Sequence, residues 1–264
     1  TTNGVLLSDE NIEYINREMS NAVLSIDGRK EVNDDLRPTV NGKGSYDVIV
    51  PKFKKLIEGR GTKDYYLRGT FTRFHKDFAE DVKALAAIGR NISVEPVVGK
   101  EDDPYALQES DLPELEAEYE RLAEYLKDHP ETNFFHFNVD LAQGPCVIKR
   151  LRGCGAGCEY VAITPEGDIY PCHQFVGNEE YKLGNIYDGT FDMELSGKFA
   201  GLNIYTREEC GNCWARFYCS GGCSASNLLV NGDIKHPHHV GCVLERKRLE
   251  CAIALRAIAA GMAD

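Results

Sequence analysis

The sequence predicts an α/β chain in two parts: a front half of alternating strands and helices, then an irregular, cysteine-rich back half. Three observations carry this. Short apolar runs alternate with segments of helical apolar spacing as far as residue 140, the rhythm of a parallel sheet with helices outside it. All ten cysteines fall at or after Cys146. The stretch Cys210–Cys223, CGNCWARFYCSGGC, sets four thiols at Cys-x2-Cys-x5-Cys-x3-Cys spacing, too dense for packing alone. They can converge on a metal only if the backbone doubles back, and Gly211, Gly221 and Gly222 allow that.

The front half reads as follows. Thr1–Gly4 is a strand end and turn. Ser8 caps a helix whose apolar face is Ile12, Ile15 and Met19, and Ala22–Asp27 is a short buried strand. Ser45–Glu58 is helical, with Ile49, Phe53 and Leu56 inward, a kink expected at Pro51 and a stop at Gly59. Asp64–Thr72 is a strand, Phe74–Ile88 a helix facing in with Phe78, Val82 and Leu85, and Ile92–Val98 another strand. Within the acidic segment 100–131, a helix keeps Leu112, Leu115, Tyr119, Leu122 and Leu126 on one stripe, so its acids read as a solvated face. Asn133–Asp140 is a last strand. A parallel sheet that opens on a strand end has an edge to cover, so the front half reads as part of a barrel whose other part is missing.

The back half changes style. Tyr160–Pro171 alternates around Pro165-Glu166-Gly167, a hairpin signal. Residues 176–205 hold several glycines and only short apolar pieces. Val243–Ala260 is a C-terminal helix ending at Gly261, with Leu244, Leu249, Ile253, Ala257 and Ile258 inward.

Charge and composition narrow the function. A net charge of −12 and a pI near 5.1 argue against nucleic acid as the main partner. No run of about 18 apolar residues exists to span a membrane, and no signal peptide is visible. Clustered thiols then point to metal in a cytoplasmic chain rather than to secreted disulfides.

The thiols fall into two groups: Cys154, Cys158 and Cys172, then Cys210, Cys213, Cys219, Cys223 and Cys242. Eight thiols make two four-coordinate sites, filled by iron–sulfur clusters or by structural zinc. Cys251 reads as a packing residue on the last helix, and Cys146 fits either role. His236, His238 and His239 lie close to Cys242 and read as a solvated loop cluster or as zinc ligands.

The pattern Cys154-x12-Gly167-x4-Cys172, then Cys210-x2-Cys213-x5-Cys219-x3-Cys223, then Cys242 resembles the SPASM domain of radical S-adenosylmethionine (SAM) enzymes. The front half resembles the C-terminal half of their (β/α)6 barrel: TTNG the third strand end, SIDG (Ser25–Gly28) the fourth, LRGTFTR (Leu67–Arg73) the fifth and VEPVV (Val94–Val98) the sixth. The fold implied is a partial radical SAM barrel over 1–145, strands 3–6. A SPASM domain follows over 146–264, with a β-hairpin and a C-terminal helix.

The resemblance also implies ligands. Cys154, Cys158, Cys172 and Cys223 would hold auxiliary [4Fe–4S] cluster I, and Cys210, Cys213, Cys219 and Cys242 auxiliary cluster II. Asn3, Ser25 and Asp27 would offer polar contacts to SAM, Arg68 would meet its methionine carboxylate, and Val97 would sit near its adenine. An arginine fork suits a carboxylate, and ligands gather at the carboxyl ends of parallel strands.

The segments SIDGRKEVNDDLRPTVNGKGSYDVIVPKFKKLIE and CGAGCEYVAITPEGDIYPCHQFVGN resemble the maturases of six-cysteine (SCIFF) peptides, which install a thioether between a cysteine sulfur and a carbon of another residue. Implied with them are a cysteine-rich precursor peptide, an electron donor such as flavodoxin or ferredoxin, and the cytoplasm of an anaerobe. Sulfatase maturases and quinone-cofactor maturases share the cysteine pattern. Radical SAM chemistry also needs Cys-x3-Cys-x2-Cys for a third cluster, and these 264 residues contain none. The chain is therefore expected to be a C-terminal portion, inactive alone, that needs a missing N-terminal half. A non-catalytic cluster-bearing module for binding or electron transfer, and a structural zinc protein, are the rival readings.

Overall fold

The computed structural model describes residues 1–100, 102–139 and 151–262. Cys146 and the expected domain boundary at 145/146 lie outside the described residues. The chain divides into two compact units. Residues 1–97, 102–139 and the stretch from Glu250 make one, and residues 98–101 with those up to Leu249 make the other. Among the described residues no helix is long and apolar enough to cross a membrane.

The first unit is a parallel sheet with helices against it. Its strands, β1 (Asn21–Ser25), β2 (Asp64–Phe71), β3 (Asn91–Pro96) and β4 (Asn133–Phe134), run in the order β1-β2-β3-β4. Every pairing is parallel, as the βαβα rhythm implies. Thr2 bridges Leu24 beside β1, which bears out a strand end at the opening residues. The last strand is shorter than expected: after Phe134 the chain tightens into a 3-10 turn over Phe135–Phe137.

The helices follow their signals. In α1 (Asp9–Glu18) the Ser8 side chain accepts from Asn11 N, satisfying an orphan amide. Met19, expected on its inner face, stands outside the helix and 44% exposed. The short α2 (Lys30–Leu36) was not expected. Its seven residues carry one Val and one Leu among polar and charged groups, too few to show a period. Helix α3 (Tyr46–Glu58) buries Ile49, Phe53 and Leu56. Helix α4 (Phe78–Ala86) starts later than expected, leaving Phe74 exposed.

Helix α5 (Leu112–Asp128) buries the whole predicted stripe from Leu112 to Leu126. Its acids are not all solvated, however. Glu118 is 2% exposed and accepts a hydrogen bond from Ala79 N in the first turn of α4, 3.1 Å away. The core lies under these helices, where Phe71 stacks on Phe78 at 4.4 Å and Phe78 meets Tyr119 at 4.6 Å.

Strand alternation decides what the opposite face carries. Along β2, Tyr65, Leu67 and Phe71 are buried while Tyr66, Arg68 and Thr70 are not. The face away from the helices is thus polar, which is unusual for a parallel sheet and marks it as a surface for something else.

The second unit contains the predicted hairpin, β5 (Ala162–Ile163) with β6 (Asp168–Tyr170), closed at Gly167 in the left-handed region. It continues into β7 (Gly184–Asn185) and β8 (Thr190–Phe191), so the segment read as irregular completes a four-stranded antiparallel sheet. Two-residue strands are too short to show alternation. A small core of Tyr170, Cys172, Phe175, Phe199, Ala225 and Ile234 packs here.

The final helix, His239–Ala259, begins earlier than expected and takes Cys242 into its first turn. Of its apolar face Leu244 and Leu249 are buried, but Ile253 is 39% exposed. Cys251 is buried, in keeping with a packing role.

Candidate functional site

At the polar strand ends, the parallel register sets Ser25 beside Arg68 and Arg68 beside Ser93. Asn3 follows the Thr2 bridge, and its carboxamide oxygen accepts from Val5 N at 3.2 Å. Arg68 is paired with Glu95, Nε and Nη2 both 3.0 Å from Oε1. Ser93 Oγ lies 3.2 Å from His136 Nε2. Val97 continues the ladder past β3, its amide donating to Phe71 O at 2.9 Å.

Asp27 stands apart. It is 3% exposed, and both carboxylate oxygens are engaged, by Arg37 and by Thr70 N. Its role in this structure is to hold the chain after β1, so it has less to offer a ligand than Ser25 or Arg68. Arg37 was not singled out from the sequence, where it is one cation among many.

Four of the five thiols of the second group meet around one cavity, and Cys223 stands with the upstream thiols. Cys210, Cys213, Cys219 and Cys242 all line a space of about 260 Å³, together with Glu209, Arg216, His239, Glu245 and Arg246. The backbone doubles back through Ser220, Gly221 and Gly222, all with positive φ, between Cys219 and Cys223. The loop is held from beneath by Arg207, 4% exposed, which donates to the carbonyls of Ile234 and Lys235 and to Ser224 Oγ. Nothing in its sequence neighbourhood signals that role.

Burial sets the electrostatics of these thiols. It pushes Cys219 up to about 12 and Cys242 up to about 11, and it raises Cys210. Neighbouring thiols raise them further: Cys242 acts on Cys219, and Cys210 and Cys213 act on Cys242. Such a set is a poor reservoir of free thiolate. It becomes one when a cationic group compensates the charge.

The cavity exceeds what one ion needs, since a water occupies about 30 Å³ of liquid. Among the described residues no three His, Cys, Asp or Glu side chains are placed to share a single metal ion. Four thiols around one cavity are the donor type that an iron–sulfur group takes. Of the three histidines, His239 lines the cavity, whereas His236 pairs with Asp233 at 2.6 Å and His238 lies 3.5 Å from Ser226 Oγ.

The first group gathers differently. Cys172 is buried, whereas Cys154, Cys158 and Cys223 are exposed. Cys172, Cys154 and Cys223 all act on the Tyr160 phenol. Burial, then those thiols, push Tyr160 up to about 12. Cys158 turns its thiol to the carbonyl of Gly155 at 3.5 Å. Tyr160, which feels all three thiols, was not singled out from the sequence.

The family model of SPASM, an iron–sulfur cluster-binding domain, matches residues 154–214. Mycofactocin maturase MftC of Mycolicibacterium smegmatis is 28% identical over 249 residues, 90% of this chain and 61% of that protein. The cysteine-type anaerobic sulfatase-maturating enzyme of Clostridium novyi is 25% identical over 244 residues, 84% of this chain and 62% of that protein. This chain is similar over most of its length to enzymes of both names, and its residues 154–214 match the SPASM model.

The SPASM match runs from the first thiol of the upstream group past Cys213, so it covers both thiol sets in part. The fold agrees. Native anSMEcpe with bound AdoMet and the Kp18Cys peptide superposes with a TM-score of 0.74 at 18% identity, over 98% of this chain and 75% of that one. The chain spans about three fifths of the length of the two curated relatives named, 61% and 62%.

Proposed function

We propose that this chain is the auxiliary-cluster part of a radical SAM peptide maturase that forms a cysteine thioether in a ribosomally made, cysteine-rich precursor peptide. The observation that carries the reading is the wall of four cysteines, Cys210, Cys213, Cys219 and Cys242, around one cavity of the second unit. Those four would hold cluster II. Cys154, Cys172 and Cys223 would hold cluster I, with Cys158 as its fourth ligand.

Bound clusters supply electron transfer and a Lewis acid that keeps a thiol deprotonated. The chain supplies placement. Arg68 would exchange Glu95 for the methionine carboxylate of SAM, as its planar fork suits, while Asn3 and Ser25 offer hydrogen bonds and Val97 an apolar contact beside them. Asp27 would act through the chain it anchors. Partition at 1–145 and 146–264, a reducing partner such as flavodoxin or ferredoxin, and a cytoplasmic setting in an anaerobe belong to the same reading.

The 264 residues contain no Cys-x3-Cys-x2-Cys, so cleavage of SAM is assigned to other residues of the whole protein. Sulfatase maturation is the second reading, favoured by the alignment over 84% of this chain with an enzyme of that name. Two measurements test the proposal. Anaerobic reconstitution of this chain should give brown protein with about eight iron and eight sulfide. Zinc in their place, in a colourless sample, would overturn it. The whole protein, given SAM, reductant and a cysteine-rich precursor, should yield peptide lighter by two hydrogens with one thiol lost. Modification of a sulfatase cysteine, with no thioether, would favour the second reading.

A further inference from the structure

One carboxylate oxygen gathers the polar face of the parallel sheet. Glu95 Oε1 lies 3.0 Å from both Nε and Nη2 of Arg68, 3.4 Å from Ser93 Oγ and 4.0 Å from His136 Nε2. Ser93 Oγ is also 3.2 Å from that same His136 nitrogen. With the Ser93 hydroxyl donating to Glu95, its oxygen accepts from His136 Nε2–H. The bonds therefore run from His136 through Ser93 to Glu95.

Two basic side chains thus address one carboxylate, and they are held differently. Arg68 reaches Glu95 from β2 with its side chain 49% exposed, and an ion pair so open to water is weak. The His136 side chain is 12% exposed. Its ring meets those of Phe134 at 5.4 Å and Phe135 at 5.3 Å, where β4 gives way to the 3-10 turn. The charged groups that meet at this ring are Glu95 from β3 and, through Glu95, Arg68 from β2. The exposed partner can leave Glu95 at little cost, while the packed one stays.

We propose that His136 is a positioning residue of the cofactor site: when Arg68 turns to a ligand carboxylate, the His136 imidazole takes one proton from solvent and becomes the cation that holds Glu95. This rests on the reading of Arg68 as the partner of the SAM methionine carboxylate. Charge explains the coupling. Before binding, Arg68 and Glu95 cancel and the imidazole is neutral. An incoming carboxylate claims Arg68, and the Glu95 charge then favours the imidazolium. Histidine suits the task, because its ordinary pKa of about 6.5 lets a nearby carboxylate carry its protonation across neutral pH.

The test uses the whole protein with its clusters, kept anaerobic, and SAM as the probe. Titration calorimetry in phosphate and in Tris, at about pH 7, gives the protons taken up on binding, because the two buffers differ in ionisation enthalpy. Wild type should take up about half a proton more than His136→Gln, which keeps a donor for Ser93 but cannot titrate. Glu95→Gln should match H136Q. Proton uptake on binding means that affinity falls as pH rises, so wild type should lose about tenfold more SAM affinity than H136Q between about pH 6 and about pH 8. Equal uptake in wild type and H136Q, with SAM bound by both, overturns the proposal. So does an H136Q that fails to bind SAM at any pH, which would make His136 structural. Arg68→Met separates the underlying reading: if it binds SAM as tightly as wild type, Arg68 does not hold the carboxylate, and that reading fails together with the proposal. Weakened binding in R68M beside equal uptake in H136Q removes the proposal alone.

Discussion

Arg37 lays its guanidinium against the carboxylate of Asp27, with Nη2 3.0 Å from Oδ1 and Nε on Oδ2. Asp27 is 3% exposed and also accepts Thr70 N, so one buried charge joins the end of β1 to β2 and to the chain beyond α2. Arg37→Met leaves that charge without its cation. The expected cost is about 3 kcal/mol, the low end for a broken buried pair because Arg37 is itself a third exposed. Urea unfolding measures it. A cost below about 1 kcal/mol would show that solvent already screens Asp27.

Glu118 gives the pH dependence of the same unit. Burial raises its carboxyl above the ordinary value, with the Ala79 amide and Arg121 opposing. A raised folded value means that the group's contribution is full below the unfolded pKa of about 4.5 and is lost as pH rises through the folded one. Glu118→Gln keeps an acceptor for Ala79 N and removes the titration. The stability of E118Q relative to wild type should therefore grow between about pH 4 and about pH 7, read by unfolding at each pH. A difference that shrinks over that range would contradict the burial argument.

Gly157 and Gly177 separate steric from conformational cost. Both have positive φ, 81° and 87°. A Cβ at Gly157 would lie 2.7 Å from Phe199 Cγ, while one at Gly177 meets nothing within 4 Å. Gly177→Ala should cost about 1 kcal/mol, the left-handed term alone. Gly157→Ala should cost about 3 kcal/mol as the clash adds to it. Because Gly157 precedes Cys158 and its amide bonds the carbonyl of Pro171, next to Cys172, G157A should also lose iron from the first site. Thermal unfolding and iron assay read the two effects.

Much of this was legible in the sequence, for physical reasons that differ by element. The stripe from Leu112 to Leu126 and the Ser8 cap are local patterns, and both stand as expected. The cysteine spacing pointed to a metal site because thiols at those intervals have few other uses, and its resemblance to the SPASM pattern implied iron–sulfur clusters. Three features were not legible. Glu118 is one acid among many on its helix until the fold aims it at α4. Arg207 acts through a partner distant in sequence, Ile234, and no periodicity encodes such a meeting. The short strands β7 and β8 are held by pairing across the sheet, which two-residue segments cannot advertise.

Cys219 and Cys251 give the sharpest contrast for the second site. Cys219 lines the four-thiol cavity, and burial holds its free thiol up to about 12, so its thiolate is stable only with a cation beside it. Cys251 is also buried, 5% exposed, but on the apolar part of the last helix. Cys219→Ala should drop the iron count from about eight to about four per chain, because one lost corner empties a four-thiolate site. Cys251→Ala should leave iron unchanged and cost about 1 kcal/mol of packing. Both variants are reconstituted side by side and assayed for iron, sulfide and visible absorption. Equal iron in C219A and wild type would remove Cys219 from the ligand set. Equal loss in both variants would mean that folding, not ligation, controls the metal content.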